Sequence, residues 1–165
     1  MTMLEEFAPI AAIIAASLKE QGEKIAVIDG ATGGLVSASL LTVPGALAFY
    51  LGGGVLYSMR GREILLGLQG DAFRGMRSAT EEYALAQARA VRDHFGAQWG
   101  FAETGSAGSS KHPLGVESGR SCAAIVGPGV ERVRVTETGS DDRMGNMAAF
   151  TRAGLELMRD VLADS

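Results

Sequence analysis

A glycine-rich turn between a predicted strand and a predicted helix offers the first chemistry in this sequence. The turn Asp29–Gly34 has the sequence DGATGG. A turn of this kind presents backbone N–H groups and the positive end of a helix to an anion. Its glycines let the backbone approach a ligand closely, and Thr32 adds a hydroxyl. We therefore predict that Thr32, Gly33 and Gly34 bind an anion.

Two further polar segments follow predicted strands of the same sheet. The segment 57–62 comes after the second predicted strand, and the segment 104–108 comes after the third. The carboxyl ends of parallel strands lie at one edge of an open α/β sheet, so we expect both segments to converge on the Asp29–Gly34 turn. The sequence therefore predicts a ligand pocket at this edge.

The elements that must position these segments alternate between helix and strand. A capping box formed by Thr2 and Glu5, with a glycine at the other end, predicts a first helix over residues 3–21. A second capping box, Ser78 with Glu81, predicts the start of a later helix. Short apolar runs predict strands at 24–28, 53–57, 99–103, 121–126 and 130–136. The remaining predicted helices are 35–41, 60–66, 79–95 and 141–162.

This alternation predicts one domain, residues 1–165, with a three-layer α/β/α sandwich fold. A tight turn at 127–129 joins the last two strands as a hairpin, which makes one strand antiparallel. We therefore expect a mixed, mostly parallel sheet of about five strands. The last helix is amphipathic, and its predicted apolar side includes Met144, Met147 and Leu155.

The composition is that of an ordinary globular domain. Of the 165 residues, 47% are hydrophobic and 21% are charged, and the formal net charge is −4. With no basic run, this balance argues against nucleic acid or an anionic membrane as a partner. The N-terminus is acidic and lacks the cationic segment of a signal peptide, so we expect a cytoplasmic location.

Cysteine and histidine are scarce. The single cysteine, Cys122, excludes an internal disulfide, fits a reducing compartment and is expected in the core. His94 and His112 have no metal-ligating partner at a known spacing. We therefore expect no metal and no cofactor.

Five blocks of sequence together resemble the CinA C-terminal domain family, which comprises the nicotinamide-nucleotide amidases and is associated with competence and damage-inducible proteins. The blocks occur in the family's order over nearly the whole chain, at 29–35, 43–45, 53–58, 65–67 and 104–108. The resemblance implies a three-layer α/β/α fold and hydrolysis of nicotinamide mononucleotide to nicotinate mononucleotide and ammonia. It also implies the stand-alone form of the domain.

The residues that this family uses for catalysis are replaced here. The family's first loop reads Glu-Ser-Cys-Thr-Gly-Gly, with the serine as nucleophile, and Gly30 stands at that serine position. The lysine of the family's Tyr-Ser-Asn-Glu-Ala-Lys segment corresponds to Arg62. Glycine has no nucleophilic atom, and a guanidinium stays protonated and cannot accept the nucleophile's proton. The comparison therefore implies weak or lost amidase activity.

Other positions of the family's site are retained. Tyr57 and Thr104 correspond to polar residues of that site, and Arg143 corresponds to the arginine that meets the substrate phosphate. Arg62 can still clamp a phosphate or carboxylate. The segment 105–119 carries Lys111, His112 and Glu117 where the family has proline landmarks. The expected site for a phosphorylated pyridine-nucleotide-like small molecule is Thr32, Gly33, Gly34, Arg62, Thr104, Gly105 and Arg143.

Two alternative functions stay open. In the first, the chain is an active hydrolase in which a water molecule, activated by Asp29 or Tyr57, replaces the serine, with Asp29 as general base. In the second, the fold is a non-catalytic interaction or regulatory subunit whose apolar helix faces build a homo-oligomer.

Overall fold

A five-stranded mixed sheet lies between two layers of helices in the computed structural model, which describes residues 1–67, 73–110 and 115–165. The strands are β1 (Ile25–Asp29), β2 (Tyr50–Val55), β3 (Trp99–Ser106), β4 (Arg120–Gly127) and β5 (Val130–Glu137). The α-helices are α1 (Met3–Gln21), α2 (Leu35–Leu41), α3 (Met59–Leu66), α4 (Glu81–Phe95) and α5 (Arg143–Ala163).

The strand order in this sheet is β2-β1-β3-β4-β5. Strand β1 pairs in parallel with β2 and β3, whereas the β3–β4 and β4–β5 pairs are antiparallel. Of the described strands, only β4 therefore runs against the others. The prediction of a three-layer α/β/α sandwich with a mixed, mostly parallel sheet is confirmed.

Each face of the sheet carries its own apolar core. Helices α1, α2 and α5 cover one face, where Phe7 and Trp99 are buried, and α4 covers the other, where Val91 is buried. Strand β1 contributes to both cores because successive side chains point to opposite faces. Val27 belongs to the first core and Ile28 to the second.

Local signals set both ends of α1. The N–H of Glu5 donates to the Thr2 hydroxyl at 3.2 Å, and the N–H of Thr2 donates to the Glu5 carboxylate at 2.6 Å. Gly22 ends the helix with a φ of 67°, a left-handed conformation that glycine adopts without steric cost. The helix therefore spans Met3–Gln21, as predicted.

The predicted capping box at the start of α4 is wrong. Thr80, not Ser78, is the N-cap, and its hydroxyl accepts the N–H of Tyr83 at 3.3 Å. Ala79 adopts a φ of 56°, which turns the chain just before the helix and leaves Ser78 outside it. The N–H of Ala79 donates to the Thr104 hydroxyl at 3.0 Å, so a contact with β3 decides where α4 begins.

The second strand begins and ends earlier than the sequence predicted. Strand β2 covers Tyr50–Val55, and the N–H of Leu56 donates to the carbonyl of Asp29 at 2.8 Å as the chain leaves the sheet. Tyr57 therefore lies in the loop after the strand. Pairing with β1 sets these bounds, and a single segment does not encode its partner's register.

The predicted apolar side of α5 is correct except in its first turn. Leu155 is fully buried, whereas Met144 is 75% exposed. The buried positions of α5 begin at Asn146.

Cys122 is buried within β4, as expected, and burial raises the pKa of its thiol. No helix in the described ranges is long and apolar enough to cross a membrane.

Candidate functional site

A cavity of about 330 Å³ lies at the edge of the sheet where β1 and β3 end. Residues 30–31, 56–59 and 104–108, which follow or end β1, β2 and β3, form much of its wall. Tyr83 and Gln87 of α4 and Arg143 of α5 add to the lining. The three segments therefore meet as the strand topology requires, in a cavity at the small end of the range for ligand sites.

Asp29 does not line this cavity. It is fully buried at the end of β1, and each of its carboxylate oxygens accepts two hydrogen bonds. Oδ1 accepts the Thr32 hydroxyl at 2.6 Å and the Val36 N–H at 2.9 Å. Oδ2 accepts the N–H and hydroxyl of Ser37 at 3.1 and 2.8 Å. Asp29 therefore caps α2, and the geometry does not fit it as the base that activates a water molecule.

The anion expected at the N-terminus of α2 is the chain's own Asp29 carboxylate. Thr32 is fully buried, and its hydroxyl is committed to Asp29. Gly33 and Gly34 adopt φ values of 65° and 101° to turn the chain into the helix, and neither lines the cavity. The expected binding of a ligand anion by Thr32, Gly33 and Gly34 stays a prediction, and the Asp29 carboxylate already lies at the positive end of α2.

Glu103 is a second buried carboxyl group, which the sequence analysis missed. Its Oε1 accepts the N–H groups of Gly30 and Thr32 at 3.2 and 2.9 Å, and its Oε2 accepts the Ser121 hydroxyl at 2.6 Å. Burial raises the pKa of this carboxyl group. A signal was present, since Glu103 follows the apolar residues 99–102 within one buried strand.

Gly30 has no room for a side chain. A Cβ atom at this position would clash with the carbonyl oxygen of Glu103 and lie 3.3 Å from the Oε1 atom of the same residue. The backbone of the turn therefore packs directly against β3. The position where the resembling family carries its serine nucleophile is closed to any residue but glycine unless the backbone moves.

Arg62 is packed behind the cavity instead of facing it. Its side chain is buried, with the guanidinium carbon 4.4 Å from the ring centre of Phe73 and 5.6 Å from that of Tyr83. Its Nη1 donates to the Tyr83 hydroxyl at 3.0 Å. The expectation that Arg62 clamps a ligand stays a prediction that the geometry does not favour, because Arg62 stacks on two aromatic rings and does not line the cavity.

Arg143 and Tyr57 meet at the solvent side of the cavity although 86 positions separate them in the chain. Nη2 of Arg143 donates to the Tyr57 hydroxyl at 2.9 Å, and Nη1 donates to the carbonyl of Gly108 at 2.8 Å. Tyr57 is 74% exposed. The structure thus brings these two predicted residues together, and both line the cavity.

Thr104 and Gly105 line the cavity as predicted, together with Gln87, which the sequence analysis missed. Thr104 uses its hydroxyl oxygen to accept the N–H of Ala79, which leaves its O–H as a donor. Gln87 lies on the buried face of α4 that also carries Tyr83. A polar residue on an apolar helix face was the available signal.

Lys111 and His112, singled out for the loop before β4, lie outside the described residues. The described residues contain no group of three or more metal-ligating side chains.

Comparison with known proteins identifies the family. The model of the CinA C-terminal domain matches residues 7–162. A CinA-like protein from Myxococcus xanthus is 32% identical over 154 residues, which cover 92% of this chain and 36% of that protein. The chain belongs to the CinA C-terminal domain family.

Further CinA relatives agree with this assignment. A CinA-like protein from Anaeromyxobacter is 33% identical over 144 residues, 87% of this chain and 35% of that protein. The chain therefore spans about a third of the length of these curated relatives.

The same fold occurs in crystal structures of CinA superfamily proteins. The one from Klebsiella pneumoniae has a TM-score of 0.86 at 19% identity, covering 100% of both chains. The one from Enterobacter cloacae has a TM-score of 0.85 at 22% identity, covering 94% of this chain and 92% of that one. At such identities the likeness concerns the fold alone.

Proposed function

We propose that this CinA-family chain binds a phosphorylated pyridine-nucleotide-like small molecule in the cavity. The observation that carries the proposal is the uncompensated charge of Arg143. Its guanidinium lines the cavity, bonds to the neutral groups of Tyr57 and Gly108, and has no carboxylate partner among the described residues. A phosphate at this position would receive charge-assisted hydrogen bonds, which are stronger than neutral ones.

The rest of the cavity wall supports a ligand with an uncharged, hydrogen-bonding portion. Apart from Arg143, the described lining side chains are neutral, and they include the hydroxyls of Tyr57, Ser78 and Thr104. Such a wall fits a ring with polar substituents beside the phosphate end. A cytoplasmic location, expected from the single cysteine, belongs to the same proposal.

We further infer that nicotinamide-nucleotide amidase activity is weak or lost in this chain. Covalent amide hydrolysis requires a nucleophile beside a group that accepts its proton. Gly30 supplies no nucleophile, and the packing of β3 closes that position to a side chain. Arg62 stands where the family has lysine, and it is stacked on Phe73 and Tyr83. Both members of the catalytic pair are therefore replaced.

Calorimetric titration with nicotinamide mononucleotide tests the binding proposal. We expect saturable binding that Arg143→Ala weakens about tenfold or more, because charge-assisted hydrogen bonds to the phosphate are lost. Arg132→Ala is the matched control, since Arg132 is exposed on β5 and does not line the cavity. Absence of binding by the wild type, or equal affinity of the Arg143→Ala variant, would refute the proposal.

Release of ammonia from the same compound tests the proposed loss of activity. We expect no release above the enzyme-free rate. Clear turnover that Asp29→Asn abolishes would instead favour the hydrolase that uses water activated by Asp29. The geometry argues against that outcome, because both Asp29 oxygens are already occupied by Thr32, Val36 and Ser37.

A second candidate function, a non-catalytic subunit that forms a homo-oligomer, is favoured by apolar residues left in solvent along one edge of the molecule. We call this surface the β2–α3 edge. It comprises five side chains that are 38–70% exposed: Leu51, Val55, Met59, Ile64 and Leu65. Exposed apolar surface of this kind is typical of interfaces. This candidate is compatible with ligand binding.

A further inference from the structure

The solvent-facing side of helix α3 carries a cation and an anion that have no ion-pair partner. Arg60 and Glu63 are both exposed, on the side of the helix opposite the buried Arg62 and Leu66. Neither forms an ion pair with the other or with any other described residue. Two opposite charges on one helix face are therefore available to a partner.

Apolar side chains border these two charges. At about 3.6 residues per turn, Met59 and Ile64 lie on either side of the stripe formed by Arg60 and Glu63. Met59 is 70% exposed and Ile64 is 67% exposed. The β2–α3 edge thus combines exposed apolar surface with a charged stripe, an arrangement that fits a protein partner better than it fits solvent.

The charge pattern on α3 complements itself. When two identical helices pack antiparallel around a two-fold axis, each contact occurs twice, because residue i meets residue j and residue j meets residue i. One register therefore places Arg60 of each copy against Glu63 of the other. A parallel pair of helices would instead place Arg60 against Arg60 and Glu63 against Glu63.

We propose that two copies of this chain associate through an antiparallel pair of α3 helices, with reciprocal Arg60–Glu63 ion pairs between the copies. The apolar side chains of the β2–α3 edge supply most of the affinity, since exposed ion pairs contribute little by themselves. The ion pairs fix the direction and register of the two helices. This inference rests on the second candidate function, the homo-oligomer, and does not depend on ligand binding.

Charge reversal tests the reciprocal ion pairs, with sedimentation velocity over a series of concentrations as the measurement. We expect Arg60→Glu and Glu63→Arg each to raise the dissociation constant of the dimer about tenfold or more, because each variant replaces both attractions with repulsions. Arg132→Glu on β5 and Glu20→Arg on α1 are the matched controls. Both positions are exposed and lie outside the β2–α3 edge, so these variants should keep the wild-type constant.

An equimolar mixture of the two single variants tests the antiparallel register. In a mixed dimer the introduced carboxylate at position 60 meets the introduced guanidinium at position 63, and the native Arg60 and Glu63 meet each other. We expect the mixture, and the double variant Arg60→Glu/Glu63→Arg alone, to dimerise with a dissociation constant within about threefold of the wild type. Far-UV circular dichroism of each variant should match the wild type, because both positions are exposed.

The outcomes separate this inference from the candidate function on which it rests. A wild type that is monomeric at micromolar concentration overturns both. A wild type that dimerises regardless of either charge reversal overturns this inference alone. The same conclusion holds if the folded single variants dissociate but the mixture or the double variant does not recover the dimer.

Discussion

Two buried carboxyl groups, Asp29 and Glu103, hold the turn between β1 and α2 from inside the molecule. Asp29 accepts four hydrogen bonds from residues of the turn and of α2, and Glu103 accepts the N–H groups of Gly30 and Thr32. The N–H groups of Gly30 and Thr32 and the hydroxyl of Thr32 are thus used within the chain. In the proposed binding mode, the charge that faces the ligand is that of Arg143.

Restoring the family's serine should not restore a functional nucleophile. In Gly30→Ser the new Cβ clashes with the Glu103 carbonyl, so we expect a loss of unfolding free energy of about 1–3 kcal/mol in urea titrations. We also expect no release of ammonia from nicotinamide mononucleotide. Gly61→Ser is the control, because a Cβ there meets only the Ser58 hydroxyl oxygen, at 3.3 Å, and should change stability by about 0.5 kcal/mol or less. A Gly30→Ser variant with wild-type stability and measurable turnover would contradict this expectation.

Glu103 should make the folded state less stable as pH rises. Its pKa in the folded protein is raised by burial, so the folded state binds this proton more tightly than the unfolded state does. The resulting stabilisation is complete below the unfolded value of 4.5 and is lost as pH rises towards the folded value. In Glu103→Gln, this contribution to the pH dependence of the unfolding free energy disappears.

Urea unfolding between pH 4 and 8 measures the effect of Glu103. Glu131→Gln is the control, because Glu131 lies at the surface and its pKa is lowered, chiefly by its hydrogen bond with Arg89, so its contribution has the opposite sign. The Glu103 assignment fails if Glu103→Gln leaves the pH dependence of the unfolding free energy unchanged.

At the scale of elements, α2 depends on a carboxylate that belongs to the preceding strand. Gly34, its N-cap, has no side chain to cap the helix, and Asp29 accepts the N–H groups of Val36 and Ser37 instead. A seven-residue helix is too short to be stable alone, so its first turn relies on this cap.

Asp29→Ala should therefore loosen α2 more than any other helix. We expect the unfolding free energy to fall by about 2–4 kcal/mol, because several buried donors lose their acceptor at once. We also expect faster amide hydrogen exchange at residues 35–38. Asp141→Ala, at an exposed position before α5, is the matched control. Unchanged exchange in α2 would show that Asp29 is not its cap.

Elements whose ends are encoded locally could be predicted from the sequence. The capping box of Thr2 and Glu5 and the left-handed Gly22 set α1 to the residue. The start of α4 was misplaced because Ala79 is held by Thr104 of a strand that follows it in sequence. Local sequence therefore determines both ends of α1, whereas a tertiary contact determines the start of α4.

The sequence predicted which segments form the candidate site but not how all of their side chains are oriented. Topology alone placed the three loops together, and Arg143 and Tyr57 do meet. The orientation of Arg62 depends on Phe73 and Tyr83, which a one-dimensional pattern does not place beside it. The sequence also did not predict that Asp29 caps α2, because a carboxylate at the end of a strand can face either a ligand or its own chain.

At the scale of the whole molecule, the β2–α3 edge is the surface best suited to a second copy. Strand β2 is at the end of the sheet, so one side of its backbone has no partner strand among the described residues. Apolar side chains on the same edge, Ile64 among them, remain 38% exposed or more. Burial of this apolar surface between two copies would be favourable.

We therefore expect a homo-oligomer that Ile64→Glu disrupts. Light scattering after size-exclusion chromatography should give a multiple of the chain mass for the wild type and a lower mass for the variant. Ile13→Glu is the control, because Ile13 is also exposed, at 51%, but lies on α1 away from the β2–α3 edge. A wild type that is monomeric at micromolar concentration would remove the proposed subunit role.

The positions of Asp29 and Arg143 give the cavity an electrical polarity. A buried acidic group lies behind the inner wall at Gly30, and a guanidinium without an acidic partner among the described residues lies at the solvent side. Charges beside a low-dielectric protein interior act over longer distances than they do in bulk water. A zwitterion with a cationic aromatic ring and an anionic phosphate would align with this field as it enters, ring inward and phosphate outward. The protein would thus orient the ligand before any hydrogen bond between them forms.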